Sequence, residues 1–250
     1  MSQQPATLTR ADYGIDAPDV VRRMFTIGLL GVIFGTIFYL LRHTVPTSLA
    51  VSLANMGWWM GGTFLLVGCV MLWGSRFGKL RLRDRVLDSI EWRGDEKVLD
   101  VGCGHGLMLI GAAKRLKTGT ATGVDIWQTE DQAGNSRDAT MANVRAEGVA
   151  DRIELRDADA RSLPFADNTF DVILSSWALH NIYDKQERDT AIREIARVLK
   201  PGGRALVVDI RHVKEYAQVL RECGIDQLKI NGPNFIFVIP THWLIASKRS

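Results

Sequence analysis

The chain has 250 residues, a net charge of +3, 46% hydrophobic and 24% charged residues. The charged share is ordinary, so the apolar excess must be concentrated, and it is: between Val20 and Ser75 the only charged side chains are Arg22, Arg23 and Arg42. This excludes a uniform soluble globule and a disordered chain, and the small net charge with no basic run argues against a nucleic-acid partner.

Residues 1–22 form a tail ahead of the apolar region, with an unordered terminus as the default expectation. Met24 to Leu41 is uncharged, long enough at about 1.5 Å per residue nearly to cross a hydrocarbon core of ~30 Å. A second, longer run extends from Ser48 to Trp73, and the link Arg42–Thr47 is short, polar and contains Pro46. Residues 23–75 are therefore expected to form a transmembrane helical hairpin rather than two buried core helices. Arg22 and Arg23 precede it, Arg76, Lys79, Arg81, Arg83 and Arg85 follow it, and the loop carries only Arg42. The positive-inside rule places both ends in the cytosol, with Tyr39, Trp58 and Trp59 at the outer interface and Trp73 at the inner one. Arg22-Arg23 before an apolar stretch also resembles a twin-arginine export signal, but a second span follows where a cleavage site would stand. Gly31 with Gly35, and Gly57 with Gly61, notch one face of each helix, a spacing that suits helix packing and homo-oligomers. Cys69, Cys103 and Cys223 are far apart and form neither a disulfide framework nor a zinc pattern, so no metal site is expected.

Residues 76–250 have ordinary soluble composition, and strand-like and helix-like segments alternate. Strands are expected at Lys97–Val101, Ala121–Asp125, Ile153–Arg156, Val172–Ser175 and Arg204–Asp209. Helices are expected at Leu107–Leu116, Ala139–Glu147, Lys185–Lys200 (capped by Asp184) and Val213–Cys223, and the tail Phe235–Ala246 should pair with the segment near Leu228. This is the pattern of a Rossmann-like α/β fold, a mostly parallel sheet with helices on both faces.

Such sheets bind ligands outside the carboxyl ends of their strands. After the first strand, Val98–Gly106 reads VLDVGCGHG, whose alternating glycines permit a tight turn with open backbone N–H groups. Leu107 stands where a dinucleotide fingerprint needs glycine, a departure from the NAD pattern. Asp125 ends the second strand, at the offset from which a carboxylate can hold ribose hydroxyls, and Ile126 and Trp127 offer apolar flanks for a base. The third strand leads into Asp157-Ala158-Asp159-Ala160, where an acid followed by a small residue can bond an adenine amino group.

Together VLDVGCGHG, GVDI, DADARSLPFADNTFDVIL and LKPGGRALVVD, in order between Asp95 and Asp209, resemble the class I S-adenosylmethionine-dependent methyltransferases. The likeness is to the small-molecule branch that includes quinone and sterol methyltransferases. It implies seven strands, the last antiparallel, and S-adenosylmethionine as cofactor in the cytosol. It implies that Asp100, Gly102 and Gly104 contact the methionine portion, Asp125 the ribose, Asp159 and Ala160 the adenine, and that Ser175 supplies a backbone carbonyl.

A general base is needed only if the acceptor must lose a proton. His180, in the segment after the fourth strand, is the candidate, though it could equally bond a neighbouring loop, and Trp177 and Asn181 could shape the pocket. His105 reads as a tolerated turn residue, and His212 and His242 as structural or exposed. Tyr13–Asp16 could cover the cofactor cleft, as an alternative to the unordered tail. The reading is thus a membrane-anchored methyltransferase acting on a small, lipid- or quinone-like acceptor. The alternatives are a catalytically silent S-adenosylmethionine-binding scaffold or sensor, and an NAD-dependent oxidoreductase.

Overall fold

A computed structural model of the chain describes residues 11–128, 134–236 and 238–250. The expectations for residues 1–10 and Phe237 lie outside the described residues. The chain divides into two compact units, one of Ile15–Gly78 with Ile236–Val238, the other of the first fourteen residues with Lys79–Phe235 and Ile239–Ser250.

The helical unit contains α1 (Pro18–Leu40) and α2 (Thr47–Trp73), joined through a 3-10 turn at Leu41–His43. Pro18 suits a first helical turn, because it has no N–H to leave unsatisfied there. Both helices are long and apolar enough to cross a membrane by length and composition. Their glycines face each other. A Cβ on Gly31 would lie 2.8 Å from Gly61 Cα, and one on Gly57 2.6 Å from Gly35 N. The backbones touch there, so the glycine faces that suggested oligomers are filled within the chain. The outward side chains Leu29, Leu30, Leu40, Trp59 and Leu66 are more than half exposed. Near the loop, the Tyr39 and Trp58 rings meet at a tilt with centroids 5.3 Å apart, and Arg42 lies 4.2 Å above the Tyr39 ring. A π-helical turn, Gly74–Gly78, follows α2.

The second unit is a seven-stranded α/β sandwich in the order β3-β2-β1-β4-β5-β7-β6. Its strands are β1 (Lys97–Val101), β2 (Thr120–Asp125), β3 (Ile153–Asp157), β4 (Phe170–Ser176), β5 (Leu199–Asp209), β6 (Gln227–Asn234) and β7 (Thr241–Ser247). The first five are parallel, and β7 runs antiparallel to both β5 and β6. Its helices are α3 (Lys79–Leu87), α4 (Leu107–Ala113), α5 (Arg137–Ala146), α6 (Lys185–Val198) and α7 (Val213–Glu222). Side chains alternate between sheet faces. Leu99, Val101, Ile173 and Val207 join Ile192, Ile195 and Leu220 of α6 and α7 in one core, while Gly123 on the other face meets Leu109 of α4.

Three features differ from expectation. The basic segment after the second apolar run is itself the helix α3, because Leu82, Val86 and Leu87 fall on one buried face. Helix α6 stops at Val198 rather than Lys200, since Leu199 already pairs with Phe170 as the first residue of β5. The tail is ordered over Ala11–Gly14. There Asn143 Oδ1 accepts from Asp12 N at 2.8 Å, and its Nδ2 donates to Asp12 O at 2.8 Å. Tyr13 is buried and donates to Glu147 Oε1, and the buried Lys79 ammonium donates to the carbonyls of Tyr13 and Gly14 at 2.7 and 2.8 Å. A terminus supplied with this many buried partners gains more than its ordering entropy takes away.

Candidate functional site

The strand order reverses between β1 and β4, so the crevice at their carboxyl ends is where an open α/β sheet takes its ligand. Directly after β1, Gly102, Gly104 and Gly106 all adopt left-handed φ (+70, +48 and +82°). At Gly102 no other residue fits, because a Cβ would lie 2.3 Å from that of Ala178. The turn is held from two sides. Gly102 N and Cys103 N donate to Val124 O of β2. From α5, Thr140 Oγ1 donates to Gly104 O at 2.6 Å and Asn143 Nδ2 to His105 O at 3.0 Å.

Asp125 ends β2 and is nearly buried. Its Oδ2 accepts from Gly104 N at 2.8 Å, and its Oδ1 from Trp127 N at 2.7 Å and Asn135 Nδ2 at 3.3 Å. The carboxylate therefore ties the end of β2 to the glycine turn. Asp100, on β1, is buried and its Oδ1 has no hydrogen-bond partner. Burial raises its pKa to about 7, a backbone bond from Leu109 opposes the rise, and the neighbouring Asp125 charge adds to it. A buried, unsatisfied carboxyl oxygen beside a bare glycine turn fits the ammonium of an amino acid ligand, and this is the observation that tests the cofactor.

The register brings Val101 beside Val124 on one side and Ser175 on the other, so the residues expected at Asp100, Gly102, Gly104, Asp125 and Ser175 gather at one place. Ser175 is buried and its Oγ donates to Val101 O at 2.9 Å. Ile126, half exposed, is the next residue after Asp125. Along the β3 exit Ala158 N donates to Asp125 O, so Asp159 and Ala160 lie close beyond it. The Asp159 carboxylate is engaged by Arg161, through the backbone N at 2.8 Å and the guanidinium at 2.5 Å, and this holds its pKa below the ordinary value. Asp157 accepts from Trp127 Nε1 at 2.7 Å.

The other wall of the crevice begins where β4 ends. Trp177 takes a left-handed φ of +50° and its N–H donates to Val208 O of β5. The chain then turns through Leu179–Asn181 and places His180 Nδ1 2.7 Å from Asp209 Oδ1. Asp209 is fully buried at the end of β5 and also accepts from His180 N, Ile210 N and Tyr216 OH. Burial and the Asp209 charge push the Tyr216 phenol upward, so it stays a donor. Arg188, also buried, donates to Ile182 O and Tyr183 O and fixes the segment that follows. Sequence reading named His180 as a candidate and did not name Asp209, Tyr216 or Asn143. The only signal for Asp209 was an acid closing an apolar strand, and its partner was not readable before β4 and β5 were known to adjoin.

Residues 99–207 match the family model described as a methyltransferase domain. The 27-O-demethylrifamycin SV methyltransferase of Amycolatopsis mediterranei is 36% identical over 162 residues, covering 64% of this chain and 54% of that protein. The ubiquinone/menaquinone biosynthesis C-methyltransferase UbiE of Roseobacter denitrificans is 35% identical over 127 residues, covering 51% and 47%. The chain thus spans about half the length of the curated relatives it matches. Phosphoethanolamine N-methyltransferase 2 of Haemonchus contortus, solved in complex with S-adenosyl-L-methionine, superposes with a TM-score of 0.55 at 16% identity, over 68% of this chain and 53% of that one, a likeness of fold. The α/β unit thus matches a methyltransferase domain over residues 99–207 and has the fold of the class I S-adenosylmethionine-dependent methyltransferases.

Proposed function

We propose that this protein is a membrane-anchored enzyme that methylates a hydroxyl group of a small lipophilic acceptor, with His180 as general base. The observation that carries the reading is the pair of His180 and the buried Asp209, 2.7 Å apart, beside the glycine turn. With its proton on Nδ1, on the side of Asp209 and at ion-pair distance without hydrogen-bond alignment, the ring keeps its Nε2 lone pair free to take the acceptor's proton. The carboxylate orients the ring and stabilises the imidazolium that forms. Bound S-adenosylmethionine would supply a methyl group on a sulfonium, whose sulfur leaves as a neutral thioether. Asp100 is suited to the ammonium and Asp125 to the ribose, and the Gly102–Gly104 turn, whose N–H groups are bonded to Val124 O and Asp125 Oδ2, to close approach by the methionine portion. Ile126, Asp159 and Ala160 are suited to the base, and the Ser175 carbonyl to the amino group. Positioning the two reactants can lower the barrier by roughly 7–11 kcal/mol.

The anchor is supported by burial. Only 17% and 22% of the apolar windows of the two candidate spans are covered by protein, far less than a core helix requires. The basic residues flanking the candidate spans support a cytosolic α/β unit by the positive-inside rule. An acceptor dissolved in the bilayer, lipid- or quinone-like, is the class that a tethered domain reaches best. The test is to incubate membranes carrying the full chain with methyl-labelled S-adenosylmethionine and identify the labelled product. Label in an O-methylated lipid-soluble product, lost with His180→Ala, is expected. Cofactor binding without transfer to any membrane component would point to a sensor or scaffold instead.

A further inference from the structure

From Ile230 to Ser247 the chain carries no Asp, Glu, Lys or Arg. The turn between β6 and β7 reads Phe-Ile-Phe-Val-Ile-Pro over residues 235–240, where turns in soluble domains are normally polar. Phe235 is 58% exposed, Val238 44% and Ile239 47%. Ile236–Val238 belong to the helical unit, and within it a Cβ on Gly78 would lie 3.3 Å from Ile236 Cβ and 3.3 Å from the Trp73 ring. Within that unit Ile236 therefore lies just past the end of α2. Trp73 and Phe77 are also exposed there, as is the cationic Arg76. Aromatic residues, a cation and exposed aliphatic side chains are what a bilayer interface accommodates, with the rings among headgroups and the guanidinium toward lipid phosphates.

We propose that the β6–β7 tip inserts into the cytosolic interface of the bilayer, a third membrane contact in addition to the two spans. The occupant of this surface is lipid. A polar protein partner would find no charged side chain on the tip to read, and the patch continues the apolar end of α2. The proposal rests on the membrane reading above, and the test separates the two.

The full chain, reconstituted in vesicles of phosphatidylcholine and phosphatidylglycerol in equal amounts, would carry the photoreactive p-benzoylphenylalanine in place of Phe235 or Val238. Reference positions are Leu66, exposed on α2, and Lys117, exposed on the α/β unit. Lipid adducts at 235 and 238 several-fold above the yield at 117, together with adducts at 66, are the expected result. Adducts at 66 with yields at 235 and 238 no higher than at 117 would overturn the tip proposal and leave the anchor standing. A yield at 66 no higher than at 117 would defeat the membrane reading and the tip with it. Cross-links from 235 or 238 only to a second copy of the chain would replace lipid by self-association. The substitution at Phe235 keeps an aromatic ring, so a folded protein is retained for all four readouts.

Discussion

In the proposed mechanism His180 and Asp209 carry separable parts of one role. Removing the imidazole in His180→Ala is expected to lower kcat by about 10²–10⁴-fold while S-adenosylmethionine binding, read by calorimetry, stays unchanged. Asp209→Asn keeps the size of the side chain but removes the negative charge opposite Nδ1. Its kcat should fall too, and the pH profile of the remaining activity should move. An unchanged profile would reduce Asp209 to a structural residue. Asp100 predicts a second pH dependence. Burial raises its pKa from 3.8 to about 7. The neutral form is therefore favoured in the folded, ligand-free unit. Its contribution to stability is complete below the ordinary carboxylate value and is lost as pH rises through about 7. Accepting from an ammonium needs the ionised form, so affinity for S-adenosylmethionine should rise between about pH 6 and 8, with proton release at the acid end. Asp100→Asn should flatten that rise. A titration of Kd against pH with equal slopes in the two proteins would contradict the assignment.

At the scale of elements, α5 does more than cover the sheet. Thr140 and Asn143 hold the carbonyls of Gly104 and His105, and Asn143 also binds the Asp12 backbone on both its donor and its acceptor side. Asn143→Ala leaves these groups unpaired and should lower unfolding stability by about 1–3 kcal/mol in a denaturant titration. It should also speed proteolysis within residues 11–14. In the helical unit the close approach depends on glycine. Gly57→Leu would place its Cβ 2.6 Å from Gly35 N, and overpacking of this kind costs about 1–3 kcal/mol, measurable as a lower melting temperature of the full chain in micelles. The two apolar runs were legible because length and missing charge are properties of composition. The helix α3 was not, because its charged residues outnumber the buried Leu82, Val86 and Leu87 that make it pack.

For the whole molecule, the charge distribution predicts a topology. An impermeant maleimide applied to intact cells should label Thr44→Cys, in the loop between the spans, above the background of the unmodified chain. It should label Lys117→Cys only after permeabilisation. The reverse pattern would place the α/β unit outside, away from its cofactor. The alternation of strands and helices sufficed to identify the fold, and the resemblance of four motifs in order implied the cofactor class. They are written locally, in hydrophobic period and in residues that only one backbone conformation admits. Which acid would stand behind His180 was decided by the parallel pairing of β4 with β5, which carries Asp209 to the histidine from 29 residues away along the chain. The tail at Ala11–Gly14 and the glycine faces of α1 and α2 were likewise decided by the tertiary structure. A segment's own composition states what it can bury, and only the packed structure supplies the partner.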